Sequence, residues 1–563
     1  MVESSFARLR ALLPDRADLQ AAGRSPQKDL LAGATVAIVA LPLALAFGVT
    51  SGLGAQAGIA TAVIAGAVAA VFGGSNLQVS GPTGAMTVVL VPVVHQFGAG
   101  GVLFVGLLAG LVLIAMAFAG LGQYVKFLPL PVIEGFTAGI AVVIALQQVP
   151  SALGVVPGDQ ERVWAVAASA VSEFVAEPHL APLAVTAMVA AVMLAGARWR
   201  PGIPFSILGV IAATLAATLL PLGLTSLGAL PAGLPSPSLG FIDLGAIGSL
   251  LPAVIAVAAL AALESLLSAT VADGMSVDER HDPDRELMGQ GLANLAAPVF
   301  GGIPATAAIA RTAVNVRAGA SSKLAALSHS MFLLAVVLVA APLVSEIPLA
   351  ALAGVLVATT VQMIDTSSVR ALARASRGDA FVLFLTFSIT VAFDLVAAVV
   401  VGLGVAIIIA LRSVAKSVRV DRVPLERGSH TDEEHELLSE HIVAYRLDGP
   451  LFFGASHRFL LELTNVADVK VVILRMSRVT TMDATGGRIL GDAITRIERR
   501  GIVVLVSGIS PDHDDILKSL GVADHLRQNG RIFPETPEAI EYARRLVPSL
   551  TPKAHPRSVS SAD

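Results

Sequence analysis

A single carboxylate interrupts a long apolar run near the middle of the chain. Glu264 lies within Leu250–Ala272, a run that contains no other charged residue. A charge at the centre of a membrane costs on the order of 3 kcal/mol, so such residues usually line an internal cavity or pathway. Arg311 interrupts a second apolar run further along the chain. This acid and base predict a transport site inside a membrane, unless Glu264 serves only to tie two helices together.

The composition favours a membrane protein. Of the 563 residues, 55% are hydrophobic and only 14% are charged, whereas about a quarter of the residues in soluble proteins are charged. The chain has no Cys, which excludes disulfides and thiolate metal sites. No metal-ligand cluster, Cys nucleophile or phosphate-binding loop is evident, so we do not expect an enzyme, and nothing indicates nucleic-acid binding. Residues 1–28 are polar, as in a cytoplasmic N-terminal arm rather than a cleaved signal peptide.

Fourteen apolar segments, each about twenty residues long or shorter, predict an all-α polytopic domain over residues 29–412. An even number of spans places both termini on one side, and Lys and Arg mark that side as cytoplasmic. On this topology, Arg162 is the only Lys or Arg residue in the outer loops. The predicted spans are 31–50, 55–73, 84–98, 101–121, 128–149, 181–197, 204–222, 249–272, 287–300, 306–316, 323–343, 347–363, 379–393 and 395–412.

The third and tenth spans are too short to be regular membrane-crossing helices. Each follows a stretch of small residues and proline, Ser80–Leu90 in one half and Gly301–Ala310 in the other. Matched broken helices in two halves indicate an inverted-repeat transporter with its site at the midplane. Their N-terminal amides would face one point and favour an anion there. Asn294 and Asn315 are expected to satisfy backbone groups that the breaks leave unpaired.

Six segments of the chain carry a further signal, namely Asp29–Val49, Phe72–Val89, Leu263–Ser276, Gly289–Thr306, Ala310–Ala320 and Ile347–Asp365. Together they resemble the SulP (sulfate permease) family of anion transporters. The resemblance implies a seven-plus-seven inverted repeat with broken helices 3 and 10. Spans 1–4 and 8–11 would form a core that moves in an elevator-like step against a gate of spans 5–7 and 12–14, commonly within a homodimer.

The same resemblance implies a set of site residues. Glu264 and Ser268, four residues apart and hence on one helical face, would bind the coupling ion. Many relatives have a Gln close to Leu43, and its absence here favours a small, weakly coordinated anion. The expected anion-binding residues are Ala44, Phe47, Thr83, Ala308, Ile309, Ala310 and Arg311.

These residues predict a secondary active importer of a small inorganic anion in the plasma membrane, with sulfate or bicarbonate favoured. No resident cofactor is expected. Sodium-coupled relatives have Asp and Thr in place of Glu264 and Ser268 and lack a base at Arg311, so we expect proton symport. Three alternatives stay open, namely a sodium-coupled bicarbonate symporter, a passive anion channel or exchanger, and a membrane-bound sensor. The sequence does not identify the anion.

Residues 438–548 predict a small α/β domain that resembles a STAS domain, after a linker at 413–437 and before a disordered tail at 549–563. Residues 441–455 predict two strands, and residues 469–477 and 501–508 predict one strand each. Ala484 follows Asp483 where some relatives have a phosphorylated Ser, so a phosphorylation switch through Thr485 is disfavoured. A role in assembly or trafficking is favoured instead, and a cytoplasmic protein partner of this domain stays open. The predicted helices are His457–Thr464, Gly486–Arg499, Asp514–Leu520 and Pro537–Leu546.

Overall fold

The computed structural model forms two units, residues 1–404 and 405–563, each described here by itself. The residues that it describes are 12–14, 16–127, 129–156, 160, 162–200, 203–276, 279–393, 395–416, 419–423, 441–452, 469–522 and 524–550. The helix predicted at 457–464 lies outside these ranges. The tail predicted at 549–563 also lies outside them, except for residues 549 and 550, which end the last helix.

Helices dominate the first unit. In chain order, they and two short strands are α1 (Arg16–Arg24), α2 (Pro26–Thr50), α3 (Ala55–Phe72), β1 (Ser80–Gly81), α4 (Gly84–Ala119), α5 (Leu130–Gln147), α6 (Val149–Leu153), α7 (Val163–Ala176), α8 (Leu180–Trp199), α9 (Phe205–Leu219), α10 (Ile247–Met275), α11 (Pro283–Val299), β2 (Thr306–Ala307), α12 (Ile309–Arg317), α13 (Lys323–Ser345), α14 (Leu349–Met363), α15 (Thr366–Ala375), α16 (Arg377–Ala392) and α17 (Leu395–Lys416).

A helix lies at every predicted span, with local differences. Within the described residues, nine helices are long and apolar enough to cross a membrane, and the count of fourteen spans stays a prediction. The third and fourth predicted spans form one element, α4, which is kinked at Gly98, where φ is 67° and ψ is −172°. Helix α7 lies in a predicted outer loop and was missed, although its alanine-rich sequence favours a helix.

The two predicted breaks meet in space. Strands β1 and β2 pair antiparallel, with Ser80 opposite Ala307 and Gly81 opposite Thr306. Helix α4 begins at Gly84 and α12 at Ile309, each within three residues of this pair. The nine residues of α12 extend only about 13 Å at 1.5 Å per residue. Both half-helices therefore begin at one place inside the unit.

Side-chain amides satisfy the backbone around the breaks, as the sequence predicted. The Asn294 side chain accepts from the Ala305 N–H at 2.8 Å and donates to the Ala305 carbonyl at 2.9 Å. Asn315 donates to the Leu77 carbonyl at 2.8 Å. Because unpaired backbone groups are costly away from water, these two residues stabilise the extended segments that precede each half-helix.

Small residues bring the helices close together. A Cβ atom at Gly58 of α3 would lie 2.0 Å from the Ala44 carbonyl of α2, so no larger residue fits at this crossing. Close approach through Gly and Ala is the usual way in which helices pack within membranes. Strands β1 and β2 are fully buried within this packing.

The second unit is an α/β domain, as predicted. Its strands are β3 (Arg419–Val423), β4 (Ile442–Leu451), β5 (Val471–Met482), β6 (Val503–Ser507) and β7 (Ile532–Phe533), in the order β3-β4-β5-β6-β7. Strand β3 runs antiparallel to β4, and the other pairs are parallel. Its helices are α18 (Ala484–Glu498), α19 (Pro511–Ser519), α20 (Asp524–Gln528) and α21 (Thr536–Leu550).

Apolar side chains cover both faces of this sheet. Leu490 and Ile494 of α18 pack with Val472 on one face, and Ala539 and Ala543 of α21 pack with Ile473 on the other. The prediction of two strands at 441–455 was wrong, because β4 continues through irregular pairing at residues 446–448 and 449–451. Gly449, with φ of 100°, reads as a turn in the sequence but forms part of this irregularity. Strand β3 lies inside the predicted linker.

Candidate functional site at the paired breaks

A cavity of about 290 Å³ lies where the two half-helices begin. Its wall consists of residues from α2, α4, α5, α10, α12 and α14, with one residue of α17. The residues that matter for its chemistry are Leu43, Phe47, Thr83, Gly84, Phe136, Ile140, Glu264, Ala308, Ile309, Ala310, Arg311, Thr359 and Gln362.

Glu264 joins the two breaks. Its Oε2 atom accepts hydrogen bonds from the Thr83 hydroxyl at 2.9 Å and from the Thr306 hydroxyl at 2.7 Å. Thr83 precedes α4, and its hydroxyl oxygen also accepts from the Met86 N–H at 3.4 Å as an N-cap. Thr306 belongs to β2, directly before α12. One carboxylate oxygen therefore binds residues from both breaks.

Arg311 supplies the positive charge of the site. Its side chain is 1% exposed, and Nη2 donates to the Pro82 carbonyl at 2.8 Å. Its Nη1 atom makes no hydrogen bond to the part of the chain that the structure describes. A Cβ atom at Gly81 would lie 2.6 Å from Nη1, so a glycine there leaves room for the guanidinium group. A buried arginine with an unused donor is suited to bind an anion.

Glu264 and Arg311 do not form a direct ion pair. Among the described residues, no pair between them occurs within 4.0 Å, although both line the cavity. Glu264 instead uses the two threonine hydroxyls, and Arg311 uses the Pro82 carbonyl. The positive charge is thus not neutralised by contact with the carboxylate.

The start of α12 presents backbone donors to the cavity. The first N–H groups of a helix have no partner inside that helix, and no side chain caps α12 at Ala308. Ala308, Ile309 and Ala310 all line the cavity. Together with Arg311, these backbone N–H groups give the N-terminal end of α12 a positive electrostatic potential.

Two predicted residues lie behind the cavity wall. Ala44 is fully buried, and Leu43 and Phe47 of the same helix line the cavity instead. Ser268 is also fully buried, and its hydroxyl donates to the Thr312 hydroxyl at 2.9 Å. Thr312 in turn accepts from the Val79 N–H at 3.1 Å. Ser268 therefore holds α10 against α12 in this structure, while the other predicted residues reach the cavity.

A buried carboxylate fixes the loop that leads into β1. Glu286 of α11 is 2% exposed. It accepts from the backbone N–H groups of Gly74 and Ser75 at 2.9 and 3.2 Å and from the Gln78 amide at 2.6 Å. The Gln290 amide donates to it at 3.2 Å. Four donors to one carboxylate keep the approach to the site rigid.

Sequence reasoning missed the polar residues Thr306, Thr359 and Gln362. Thr306 ends the segment GGIPAT, so its position beside the break was the available signal. Thr359 and Gln362 lie on α14, an apolar helix whose sequence does not show which face meets a cavity.

The chain matches two family profiles. Residues 27–386 match the sulfate permease family, and residues 438–539 match the STAS domain. The first match spans the helical unit that contains the cavity, and the second spans most of the sheet of the C-terminal unit.

Individual relatives agree with these matches. The Bacillus subtilis (strain 168) protein YvdB, which carries a sulfate transporter's name, is 34% identical over 88% of this chain and 94% of its own length. Bicarbonate transporter BicA of Picosynechococcus sp. is 30% identical over 86% of this chain and 89% of its own. A murine Solute Carrier 26 family member A9 anion transporter in the inward-facing state has the same fold. Its TM-score is 0.77 at 18% identity, over 92% of this chain and 91% of the murine one.

Proposed function

The chain belongs to the sulfate permease family of membrane anion transporters, and on that premise we propose that it imports sulfate or bicarbonate together with a proton. The observation that carries this proposal is the pair of hydrogen bonds that Glu264 accepts from Thr83 and Thr306, beside Arg311. The wall thus combines an acid that can take a proton with groups that attract an anion.

The anion would bind at the start of α12. Its donors would be the uncapped N–H groups of that helix and the Thr83 hydroxyl, with the positive charge of the Arg311 guanidinium beside them. Charge-assisted hydrogen bonds of this kind are stronger than neutral ones, and the N-terminus of a helix favours negative charge. A cavity of about 290 Å³ accommodates a small oxyanion with some of its water.

Proton coupling follows from the hydrogen-bond donors available. A threonine hydroxyl has one proton to donate, and ionised Glu264 accepts the protons of both Thr83 and Thr306. A protonated carboxyl donates to one of these hydroxyls instead. Thr306 can then turn to the Ala307 carbonyl at 2.9 Å, or Thr83 can turn toward the cavity. Protonation therefore removes a negative charge and, where Thr83 turns, also adds a donor for the anion, so each ligand favours the other.

Movement would occur between the two sides of the cavity. Helices α2, α4, α10 and α12 hold Glu264 and Arg311, whereas α5 and α14 contribute mainly apolar residues to the opposite side. We propose that the first group moves as a core past the second in an elevator-like step, within a homodimer in the plasma membrane with both termini cytoplasmic. The STAS domain would serve assembly or bind a cytoplasmic protein.

Sodium-coupled bicarbonate symport is the second candidate, because one relative carries a bicarbonate transporter's name. The position of Arg311 argues against it, since a guanidinium group in the cavity wall repels a bare cation. A passive channel or exchanger would need no protonatable group at Glu264.

The test is uptake of labelled sulfate and bicarbonate into proteoliposomes under separate pH and sodium gradients. We expect a pH gradient alone to drive uptake by the wild type. Glu264→Gln should lose this accumulation but retain counterflow exchange, because the amide resembles a protonated carboxyl. Glu173→Gln, which alters an acid of α7 outside the cavity, is the matched control. The proton assignment is wrong if sodium alone drives wild-type uptake and pH has no effect.

A further inference from the structure

A second cavity, of about 310 Å³, lies further along α2, α4 and α5, three of the helices that line the first cavity. Leu43 and Phe47 of α2 line the first cavity, and Val49 and Thr50 line the second. On α4 the lining moves from Thr83 and Gly84 to Val94 and His95, and on α5 from Ile140 to Gln147 and Gln148. The two cavities are therefore successive along one direction of the helices.

An apolar layer lies between the two cavities. Ile144 is one turn of α5 beyond Ile140 and is 1% exposed. A Cβ atom at Gly84 would lie 2.2 Å from Cδ1 of Ile144 and 3.1 Å from Cε1 of Phe47, so these side chains pack directly onto the start of α4. Phe47, Ile144 and Gly84 form what we term the dividing layer. This layer separates the two cavities along α2, α4 and α5.

Three glutamines are among the residues that line the second cavity. Both polar atoms of the Gln147 side chain are buried without a hydrogen bond to any described residue. Gln148 is 4% exposed, and its amide nitrogen makes only long contacts, at 3.4 Å with the Ile144 carbonyl and 3.5 Å with the Thr50 hydroxyl. The Ser169 hydroxyl donates to Oε1 of Gln160 at 2.9 Å, which leaves that amide's N–H groups for the cavity.

Two hydroxyl groups of the second cavity are already used. Thr50 donates to the Ala46 carbonyl at 2.8 Å, and Ser51 donates to the Gly48 carbonyl at 2.7 Å. Amide N–H groups remain as donors, together with the Ser151 hydroxyl and the His95 ring, which also line this cavity. Buried amides without partners are costly unless water or a ligand supplies them.

We propose that the second cavity is a further anion-binding site, in which Gln147, Gln148 and Gln160 bind the transported anion on the far side of the dividing layer. The proposal rests on the proposed function for the identity of the anion. Neutral amides bind an oxyanion without removing all of its water, so the site binds weakly and releases quickly. The anion would occupy it immediately before or after it passes the dividing layer.

The two tryptophans of the chain allow a direct test. Trp164 follows Val163, which lines the second cavity, and its ring lies 5.9 Å from the Arg162 guanidinium carbon. In a Trp199→Phe background it is the sole tryptophan. We expect sodium sulfate or sodium bicarbonate, titrated against sodium gluconate at constant ionic strength, to change Trp164 emission with saturation. Gln147→Leu with Gln148→Leu should raise the apparent Kd at least about tenfold.

Controls separate this site from the first cavity. The Gln147 amide has no hydrogen bond to a described residue and the Gln148 amide has only long ones, so the double leucine variant should melt no lower than its parent. Gln123→Leu, an exposed glutamine that lines neither cavity, should leave the titration unchanged. Glu264→Gln should retain the Trp164 signal.

The proposal is overturned if a protein that transports either anion shows no saturating Trp164 response. A response that the double leucine variant retains, or one that follows the cation, would also overturn it. If the wild type instead shows the Trp164 response but takes up neither anion, the proposed function fails and the second site stands.

Discussion

The two breaks differ in what they contribute, although they pair through β1 and β2. At the first break, Thr83 caps α4 with its own side chain and binds Glu264. At the second break, Ala308 leaves α12 uncapped, and Arg311 follows in its first turn. The first break thus offers a donor that depends on the protonation of Glu264, and the second offers a fixed charge and open amides. The comparison teaches that two paired breaks can share a geometry while they divide the chemistry between them.

The largest effect should come from removing the fixed charge. Arg311→Gln should weaken anion binding by about 2 kcal/mol, or about thirtyfold in Kd, because the fixed positive charge in the cavity wall is lost. Isothermal titration of the purified protein with sulfate and bicarbonate would measure the change. Arg311→Lys, which keeps the charge, should recover part of the affinity. Equal affinity in the Gln variant and the wild type would contradict the role assigned to the second break.

The two threonines should separate binding from coupling. Thr83→Val removes a donor that lines the cavity, so the Kd for the anion should rise about tenfold. Thr306 does not line the cavity, so Thr306→Val removes a hydrogen bond to Glu264 without removing a group that faces the anion. It should change the pH dependence of uptake and leave the Kd at saturating protons almost unchanged. Titration at two pH values would check both variants, and identical behaviour of the two would remove the distinction between them.

Adding a cap to α12 should make the two breaks more alike. Ala308→Ser places a hydroxyl where it can accept from the first N–H groups of the helix, which stabilises a helix by about 1 kcal/mol. The same N–H groups are then less available to an anion, so we expect a higher melting temperature and about threefold weaker binding. Ala308→Val, which adds bulk without a cap, is the control. A variant that binds the anion more tightly would show that the amides of α12 are not used.

The smallest effect should come from removing the C-terminal domain. All residues that line the first cavity belong to residues 1–404. Deletion of residues 438–563 should therefore leave the Kd for the anion within about twofold of the wild-type value. Lower expression or a lower yield of dimer would be compatible with this expectation. Complete loss of binding in a well-folded truncated protein would not.

Much of this arrangement was predictable because charges and prolines stand out in apolar sequence. Glu264 and Arg311 are conspicuous for that reason, and Gly and Pro mark both breaks. The roles of Ala44 and Ser268 were harder to assign, since a membrane helix is apolar on all sides and its inward face cannot be read. The irregularity at Gly449 was misread because a glycine within a strand gives the same local signal as a turn.

The bridge between β1 and β2 has a thermodynamic consequence for the proposed transport cycle. Ser80 and Gly81 are hydrogen-bonded to the strand that precedes α12, so the two half-helices keep their spacing if they move together. A site that travels intact offers the anion the same groups on both sides of the membrane. Its intrinsic affinity is then equal at the two faces, and the carrier itself is reversible. Net direction would come from the gradients of proton and anion alone, so reversal of both gradients should turn the importer into an exporter.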